Sequence, residues 1–397
     1  MRWRGRELYY GWLMVVVLGV TETTSWGIVY YAYSVLVVPM QTELGWSRAE
    51  ITGAFSLALL VLGVVGVVTG QWLDRRGPRL LMTAGSVLGV VLVLAWSRAT
   101  SLSTFYAIWI FMGVAWSGTL YSPAFATVTA FFRERRTEAL LVVTLMAGLA
   151  STIFFPLTAY LVSLLGWRDA LVALAVILGV TTIPLHALVL RKAPDHAHDA
   201  TETSLDLIAA LRHPSFRWLA LGFFCFALGI GVFVHFVPYL VTRGFDLVTG
   251  AAIAGLVGAM QLAGRVLFAP LERRFAPSAL IATVYALQPL ALLVLLLGPA
   301  SIAPYVFVVL FGAGRGADTL IRNTLVARLY GRRRFASIQG VLSLIITVAW
   351  AGSPVGLGAV YDRFGSYDVG LWLVAAASVV AAVALSLAMR SASASGS

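Results

Sequence analysis

One cysteine, Cys225, stands in 397 residues, so no internal disulfide is available and thiol content says nothing about the redox compartment. Charge is scarce too. Only 11% of residues are Asp, Glu, Lys or Arg, against 60% hydrophobic, and mean hydropathy is +0.91. A soluble domain carries about 25% charged residues, so this composition excludes one. Long polar stretches are missing apart from RKAPDHAHDATETSLDLIAALRHPSFR at 191–217. The remaining loops are too short for a soluble catalytic or nucleotide-binding domain, which excludes an ATP-driven pump. HExxH, GxSxG and paired acids at a working spacing are absent, so the sequence predicts no enzyme. The period-two alternation of short segments that an outer-membrane barrel requires is absent as well.

What remains is a series of apolar runs, each of the ~20 residues that cross about 30 Å of hydrocarbon. Twelve are predicted, over 10–39, 50–73, 79–97, 102–131, 137–165, 168–190, 217–241, 249–272, 277–297, 301–329, 336–361 and 366–389. Their backbone polar groups have no water to bond to and must be satisfied within helices, so the expected fold is all-α. The start, MRWRGRELYYGW, has a signal peptide's basic region, but the run behind it is too long and lacks a small-residue cleavage site; it is expected to stay as helix 1.

The net charge of +11 invites a nucleic-acid reading until the basic residues are placed. With the N-terminus in the cytoplasm, 20 Lys and Arg fall on that side, in MRWRGR, DRRGPR, RERR, the 191–217 loop, ERR, RLYGRRR and Arg390. Only Arg48, Arg98, Arg168, Arg243 and Arg363 fall outside. The excess is therefore topological, both termini are expected in the cytoplasm of a bacterial-type inner membrane, and no nucleic acid is implied.

WLDRRG at 72–77 and PLERRF at 270–275 lie 198 residues apart, and FFRERRTEAL at 131–140 matches LYGRRRFASI at 329–338 at the same offset. With VVP (37–39) against FVP (236–238) and TGA at 52–54 and 249–251, they predict a duplicated architecture. It comprises a six-helix bundle over 1–190, a cytoplasmic linker over 191–216 with an interfacial helix near Leu205 to Leu211, and a second six-helix bundle over 217–397. Two related bundles are the arrangement of a secondary transporter, with its site near the midplane. GAGRG at 312–316 follows no strand, so its glycines predict close helix packing rather than a dinucleotide loop.

GQWLDRRGPR at 70–79 resembles the signature loop between helices 2 and 3 of the major facilitator superfamily, with Gly70, Asp74, Arg75, Gly77 and Arg79 at the motif positions. LGWSRAEITGAFSL (44–57), AFFRERRTEALLVVTLMAG (130–148) and GWRDAL (166–171) resemble the branch containing bacterial monocarboxylate-transporter-like and oxalate/formate-exchanger-like proteins. The likeness covers nearly the whole chain. It implies proton-coupled or exchange transport of small organic anions, a gating latch at Asp74 and Arg75, a substrate arginine at Arg265 and a cavity-lining Tyr121. Three positions depart from the pattern. Gln261 stands where relatives carry an aspartate, helix 11 lacks the exchangers' second basic residue, and Phe275 replaces the glycine in the second copy of the loop.

Charges inside the spans carry the functional reading. Arg315, Asp318 and Arg322 stand at i, i+3 and i+7, on one stripe with Phe311 a turn above. Facing lipid they would cost on the order of 10 kcal/mol, at about 2.5–3.5 kcal/mol each. That rivals the net stability of a whole protein, about 5–15 kcal/mol. They are expected to face water or partners. One reading is a ladder in which Asp318 serves both arginines; the other is a positive excess that attracts an anion, with Arg315 as ligand and Arg322, nearer the cytoplasm, as gate. Arg265 has no acid within a turn, so its partner is either another helix or a substrate carboxylate held by the guanidinium fork.

Glu22 has no charged neighbour on helix 1 and is the expected proton carrier, unless it pairs with Arg265 or Arg315. Trp26, Val29 and Tyr33 follow it at i+4, i+7 and i+11 with Tyr30 beside them, a face suited to lining a cavity. His235 is read as a packing residue, and His196 and His198 as solvated loop, so neither metal nor cofactor is expected. The expected protein is a monomeric carrier of small organic anions, monocarboxylates by the resemblance, working by alternating access with protons or a counter-anion. The rival expectations are a proton-coupled exporter of drugs or other amphipathic solutes, and a twelve-span sensor or scaffold that moves nothing.

Overall fold

The computed structural model describes residues 4–132, 134–192, 211 and 214–394, and all regular structure among them is helical. The elements are α1 (Arg4–Ser25), a π-helical turn (Trp26–Tyr31), α2 (Ala32–Leu44), α3 (Arg48–Arg76), α4 (Pro78–Ser97), α5 (Leu102–Thr119), α6 (Tyr121–Phe131), α7 (Arg136–Gly148) and α8 (Ala150–Val189). Then come α9 (Pro214–Ala227), α10 (Gly229–Thr242), α11 (Leu247–Arg274), α12 (Pro277–Leu297), α13 (Ala303–Phe364) and α14 (Asp368–Ala394). The expected interfacial helix and the His196–His198 pair lie outside the described residues.

Backbone geometry divides the longest elements into crossings. α8 is interrupted at Gly166, whose φ of 76° and ψ of 164° are not helical, between the two crossings predicted for 137–165 and 168–190. A straight α13 of 62 residues would measure about 93 Å at 1.5 Å per residue. Yet Asp318 and Ile346, 28 positions apart, line one cavity. The chain therefore turns back between them, as expected for separate crossings over 301–329 and 336–361. Among the described residues nine helical stretches are long and apolar enough to cross a membrane, and one of these, Arg136–Val189, contains the two crossings that meet at Gly166. The two predicted spans outside that set are 102–131, rich in Trp, Tyr, Ser and Thr, and 301–329, which carries the three charges. Val64, Val180 and Leu297 are more than 70% exposed, as on a surface made for hydrocarbon.

The chain forms two units, one within Met1–Ala197 and Phe245–Gly255, the other within His198–Gly244 and Leu256–Ser397. In the first, Tyr33, Phe55, Trp96, Trp109 and Trp116 form a fully buried aromatic cluster, with Trp96 and Trp109 edge to face at 5.0 Å. One end of it is tied by Arg168, which bonds Glu43 at 2.8 Å and the carbonyls of Ser97 and Ala99 at 2.8 and 3.1 Å. The start of α11 belongs to this unit, where Thr152 Oγ1 donates to the Gly255 carbonyl at 2.8 Å.

The second unit is assembled through its glycines. A Cβ on Gly316 would strike the Cα of Gln261 at 2.8 Å, one on Gly264 the Cα of Ala313 at 2.9 Å, and one on Gly312 the Cβ of Met260 at 2.6 Å. α11 and the first crossing of α13 thus meet backbone to backbone, as the small residues of GAGRG predict. Gly314 turns instead toward Leu287 of α12. These contacts fix the rotation of α13 and hence the direction of Arg315 between Gly314 and Gly316.

Candidate functional site

Arg315, Asp318 and Arg322 open onto one cavity in the second unit, about 230 Å³ in volume counting its mouth. Phe223, Phe226 and Ala227 of α9 form one wall, and Ile346 and Trp350 of the second crossing of α13 form another. The Arg315 guanidinium lies 5.6 Å from the Phe226 ring centroid and 5.7 Å from that of Phe311, within cation–π range.

Asp318 has a partner that sequence reasoning missed. Tyr285 of α12, fully buried, donates from Oη to the Asp318 carboxylate at 2.7 Å, and its ring meets Phe226 edge to face at 4.8 Å. To the two arginines of the expected ladder the structure adds a phenol, because Tyr285 reaches the carboxylate from another helix. Arg322 stands close enough to act on Tyr285 electrostatically. Among the described residues the cavity lining holds two guanidinium groups and one carboxylate.

Arg265 on α11 is 8% exposed and does not line this cavity. Gln261 is half-buried, with its backbone against Gly316.

In the first unit Glu22 is fully buried. Its Oε2 accepts from Trp26 Nε1 at 3.0 Å, and its Oε1 has no hydrogen-bond partner among the described residues. Trp26 packs on Tyr30 at 4.9 Å and on Tyr121 at 5.0 Å, and Tyr121 stacks on Phe125 at 4.8 Å. Glu22, Trp26, Tyr30 and Tyr121 are thus neighbours.

Tyr33 is not one of them. It is fully buried in the aromatic cluster and donates to the Ile51 carbonyl, which assigns it to packing rather than to a cavity wall. The reason is the π turn at Trp26–Tyr31: more residues per turn shift the phase of the helix beyond it, so a face drawn at 3.6 residues per turn loses Tyr33. His235 lies buried between the Tyr367 hydroxyl and the Pro354 carbonyl, both at 2.8 Å, a packing position.

At the 70–79 loop, Gly77 has φ 77° and its N–H bonds the Leu73 carbonyl at 2.8 Å, a turn that favours glycine. Gly70, Asp74, Arg75 and Arg79 are exposed, and among the described residues Asp74 forms no ion pair.

A helical chain with apolar outer faces, long hydrophobic crossings and charges gathered inward on a small cavity is a polytopic membrane carrier. The sequence profile of the Major Facilitator Superfamily matches residues 17–354, and the chain belongs to that family: it is a multi-pass transporter and not an enzyme. "Monocarboxylate transporter 13" of Rattus norvegicus is 23% identical over 382 residues, covering 94% of this chain and 87% of its own. The "Probable nitrate/nitrite transporter NarK2" of Mycobacterium tuberculosis is 28% identical over 386 residues, covering 89% of this chain and 92% of its own. Among solved structures, the inward-facing, unoccupied form of a bacterial homolog of the human lysosomal transporter Spinster superposes with a TM-score of 0.76. It is 17% identical and covers 96% of this chain and 97% of the other, a likeness of fold.

Proposed function

We propose that the chain carries small organic anions, monocarboxylates first among them, across a bacterial-type inner membrane by alternating access of the halves 1–190 and 217–397. Both termini face the cytoplasm, and the carrier works as a monomer coupled to protons or to a counter-anion. The observation that carries this reading is the excess of guanidinium over carboxylate on one small cavity, with Asp318 engaged by Tyr285. An anion repays the desolvation of such charges where a neutral solute does not. The names of the relatives, a monocarboxylate and a nitrate/nitrite transporter, support the anionic class.

In this scheme Arg315 and Arg265 bind substrate, aided by Gln261, Tyr30 and Tyr121. Arg322 and Asp318 form the ion-pairing gate, Glu22 carries the proton, and Gly70 to Arg79 form the cytoplasmic latch. Uptake of labelled lactate, pyruvate, formate and acetate into proteoliposomes under a pH gradient tests it. Arg265→Ala is expected to lower kcat/KM for carboxylates about 10- to 100-fold, the worth of a charged hydrogen-bond pair; unchanged flux would sink the arginine's role. Glu22→Gln is expected to abolish acceleration by the gradient while leaving counterflow intact. Loss of both together would make Glu22 structural.

A second reading has its own observation. Glu22, a buried acid ringed by Trp26, Tyr30 and Tyr121, fits a proton-coupled exporter of amphipathic solutes. That reading expects extrusion of a lipophilic cation to survive Arg265→Ala.

A further inference from the structure

We infer that Trp26 is the positioning residue of the proton step: its indole N–H fixes Oε2 of Glu22 and leaves Oε1 as the oxygen that takes and releases the proton. This rests on the reading of Glu22 as proton carrier above and assigns the atoms of that step from hydrogen bonding, backbone and surroundings.

The hydrogen bonding is one-sided. Glu22 is fully buried, its Oε2 accepts from Trp26 Nε1 at 3.0 Å, and its Oε1 has no hydrogen-bond partner among the described residues. An indole N–H only donates, so the oxygen it faces must accept whether the acid is charged or neutral. In a neutral carboxyl the carbonyl oxygen is the better acceptor, which makes Oε2 the carbonyl and puts the O–H on Oε1. Protonation forms the Oε1–H bond with a proton from water, deprotonation returns that proton to water, and the Trp26 bond persists through both.

The backbone holds the indole in place. Trp26 opens the π-helical turn Trp26–Tyr31, and its ring meets both Tyr30, at 4.9 Å, and Tyr31, at 6.2 Å. At 3.6 residues per turn a residue at i+5 lies about 140° round the helix, so an α-helical backbone would carry Tyr31 away. The i→i+5 bonding of a π turn brings both rings to one side. Tyr121 of α6 meets the indole from a second helix at 5.0 Å.

The surroundings leave the pair alone with phenols. A Cβ on Gly19 would meet Met146 and one on Gly27 would meet Phe154, and the chain between those two contacts, 147–153, carries no titratable side chain. On α6 the stretch 122–131, between Tyr121 and the Phe132 that stands against Gly11, carries none either. The titratable groups facing the pair from the π turn and from the helices packed on α1 are therefore Tyr30, Tyr31 and Tyr121, and no charged side chain lies on these stretches. By donating to Oε2, Trp26 favours the carboxylate, to the extent of about one to two pH units for a hydrogen bond to a charged group.

The test is infrared difference spectroscopy of the full chain in proteoliposomes as a function of pH, alongside lactate uptake over the same range. The carbonyl band of protonated Glu22 is the one that disappears in Glu22→Gln. Trp26→Phe keeps a ring and removes the donor. Replacement of Trp26 by β-(3-benzothienyl)alanine removes the donor and keeps the fused ring, which separates the hydrogen bond from a packing defect. In both variants the band is expected at higher frequency, because Oε2 loses its donor, and the pH midpoints of the band and of uptake are expected to rise together by about one unit.

A band unmoved in frequency and midpoint in both Trp26 variants would overturn the inference while leaving Glu22 as the proton carrier. A midpoint that moves without the frequency would put the proton on Oε2 and overturn the assignment of atoms. A parent without a titrating Glu22 band, whose gradient-driven uptake is matched by Glu22→Gln, would overturn the proton reading and this inference with it.

Discussion

In the first half of the chain the helix that opens the bundle ends at Gly45 with φ 71°, and α8 breaks at Gly166 with φ 76°. In the second half the same places hold Gly244 with φ 92° and Gly365 with φ 68°, each 199 positions after its counterpart. Left-handed backbone is costly for any residue with a Cβ, so these glycines mark turns the two halves share. The fifth glycine of this kind, Gly77, has no counterpart, because Phe275 stands in the second copy. Their interiors have diverged further. The first half buries Trp96, Trp109 and Trp116 and, among its described residues, one acid, Glu22. The second buries Tyr285, Phe307 and Phe311, brings α11 against α13 at glycines, and concentrates Arg265, Arg315, Asp318 and Arg322. A shared scaffold thus holds a buried acid in one half and a cluster of guanidinium groups in the other.

The sharpest way to break this comparison is at a glycine. Gly316→Leu drives a side chain into the backbone of α11 and is expected to cost about 3 kcal/mol or more, the upper range for overpacking. The monodisperse peak in size-exclusion chromatography should disappear. Gly66→Leu in the first half, where an added Cβ meets nothing within 4 Å, should elute as the parent does. Equal behaviour of the two would deny that the close approach of α11 and α13 at Gly316 holds the second half together.

The polar ties at the helix ends offer a smaller contrast. Arg168 serves a carboxylate and two backbone carbonyls, whereas Arg243 serves Asp368 at 2.7 Å and the Tyr239 hydroxyl at 3.1 Å from a more exposed position. Removing Arg168 leaves carbonyls unsatisfied. Arg168→Ala is expected to lower stability by about 1–2 kcal/mol and Arg243→Ala by less than about 1 kcal/mol, read as thermal midpoints in detergent. A larger loss at Arg243 would reverse the ranking.

The smallest effect concerns helix starts. Ser47 caps α3 with a hydroxyl, in a reciprocal pair with Glu50, while Asp246 caps α11 with a carboxylate that accepts from the Thr249 amide at 2.9 Å. Hydrogen bonds from Thr249, side chain first and then backbone, hold the Asp246 carboxyl below the usual range. A depressed folded value means the contribution is present above the unfolded pKa of about 3.9 and is lost as pH falls through the folded value. The difference in thermal midpoint between the parent and Asp246→Ala should therefore be visible at pH 7 and shrink on acidification below about pH 4. A difference that grows on acidification would contradict the cap.

Much of this was legible in the residues. Hydrocarbon enforces helices and apolar runs, so the crossings could be drawn from hydropathy. The cost of burying charge likewise demanded an inward destination for Arg315, Asp318 and Arg322, which the structure gives them on one wall. Tyr285 was not legible, because an uncharged phenol has no sequence signature and its partner lies 33 positions away. Tyr33 was assigned to the Glu22 face on a uniform helical period that the π turn interrupts. The Arg168 tie joins segments as far apart as 125 positions, a contact that only folding brings about.

That interruption at Trp26–Tyr31 also says something about how the first crossing tolerates editing. A π segment stores a surplus residue inside an otherwise continuous hydrogen-bonded rod, and the helices on either side keep the orientation of a rod one residue shorter. Deleting a single position there restores uniform pitch and spares both flanks, whereas the same deletion in α3 or α4 swings everything downstream by about 100°. The first crossing thus holds one place where the chain can lose length without losing its alignment.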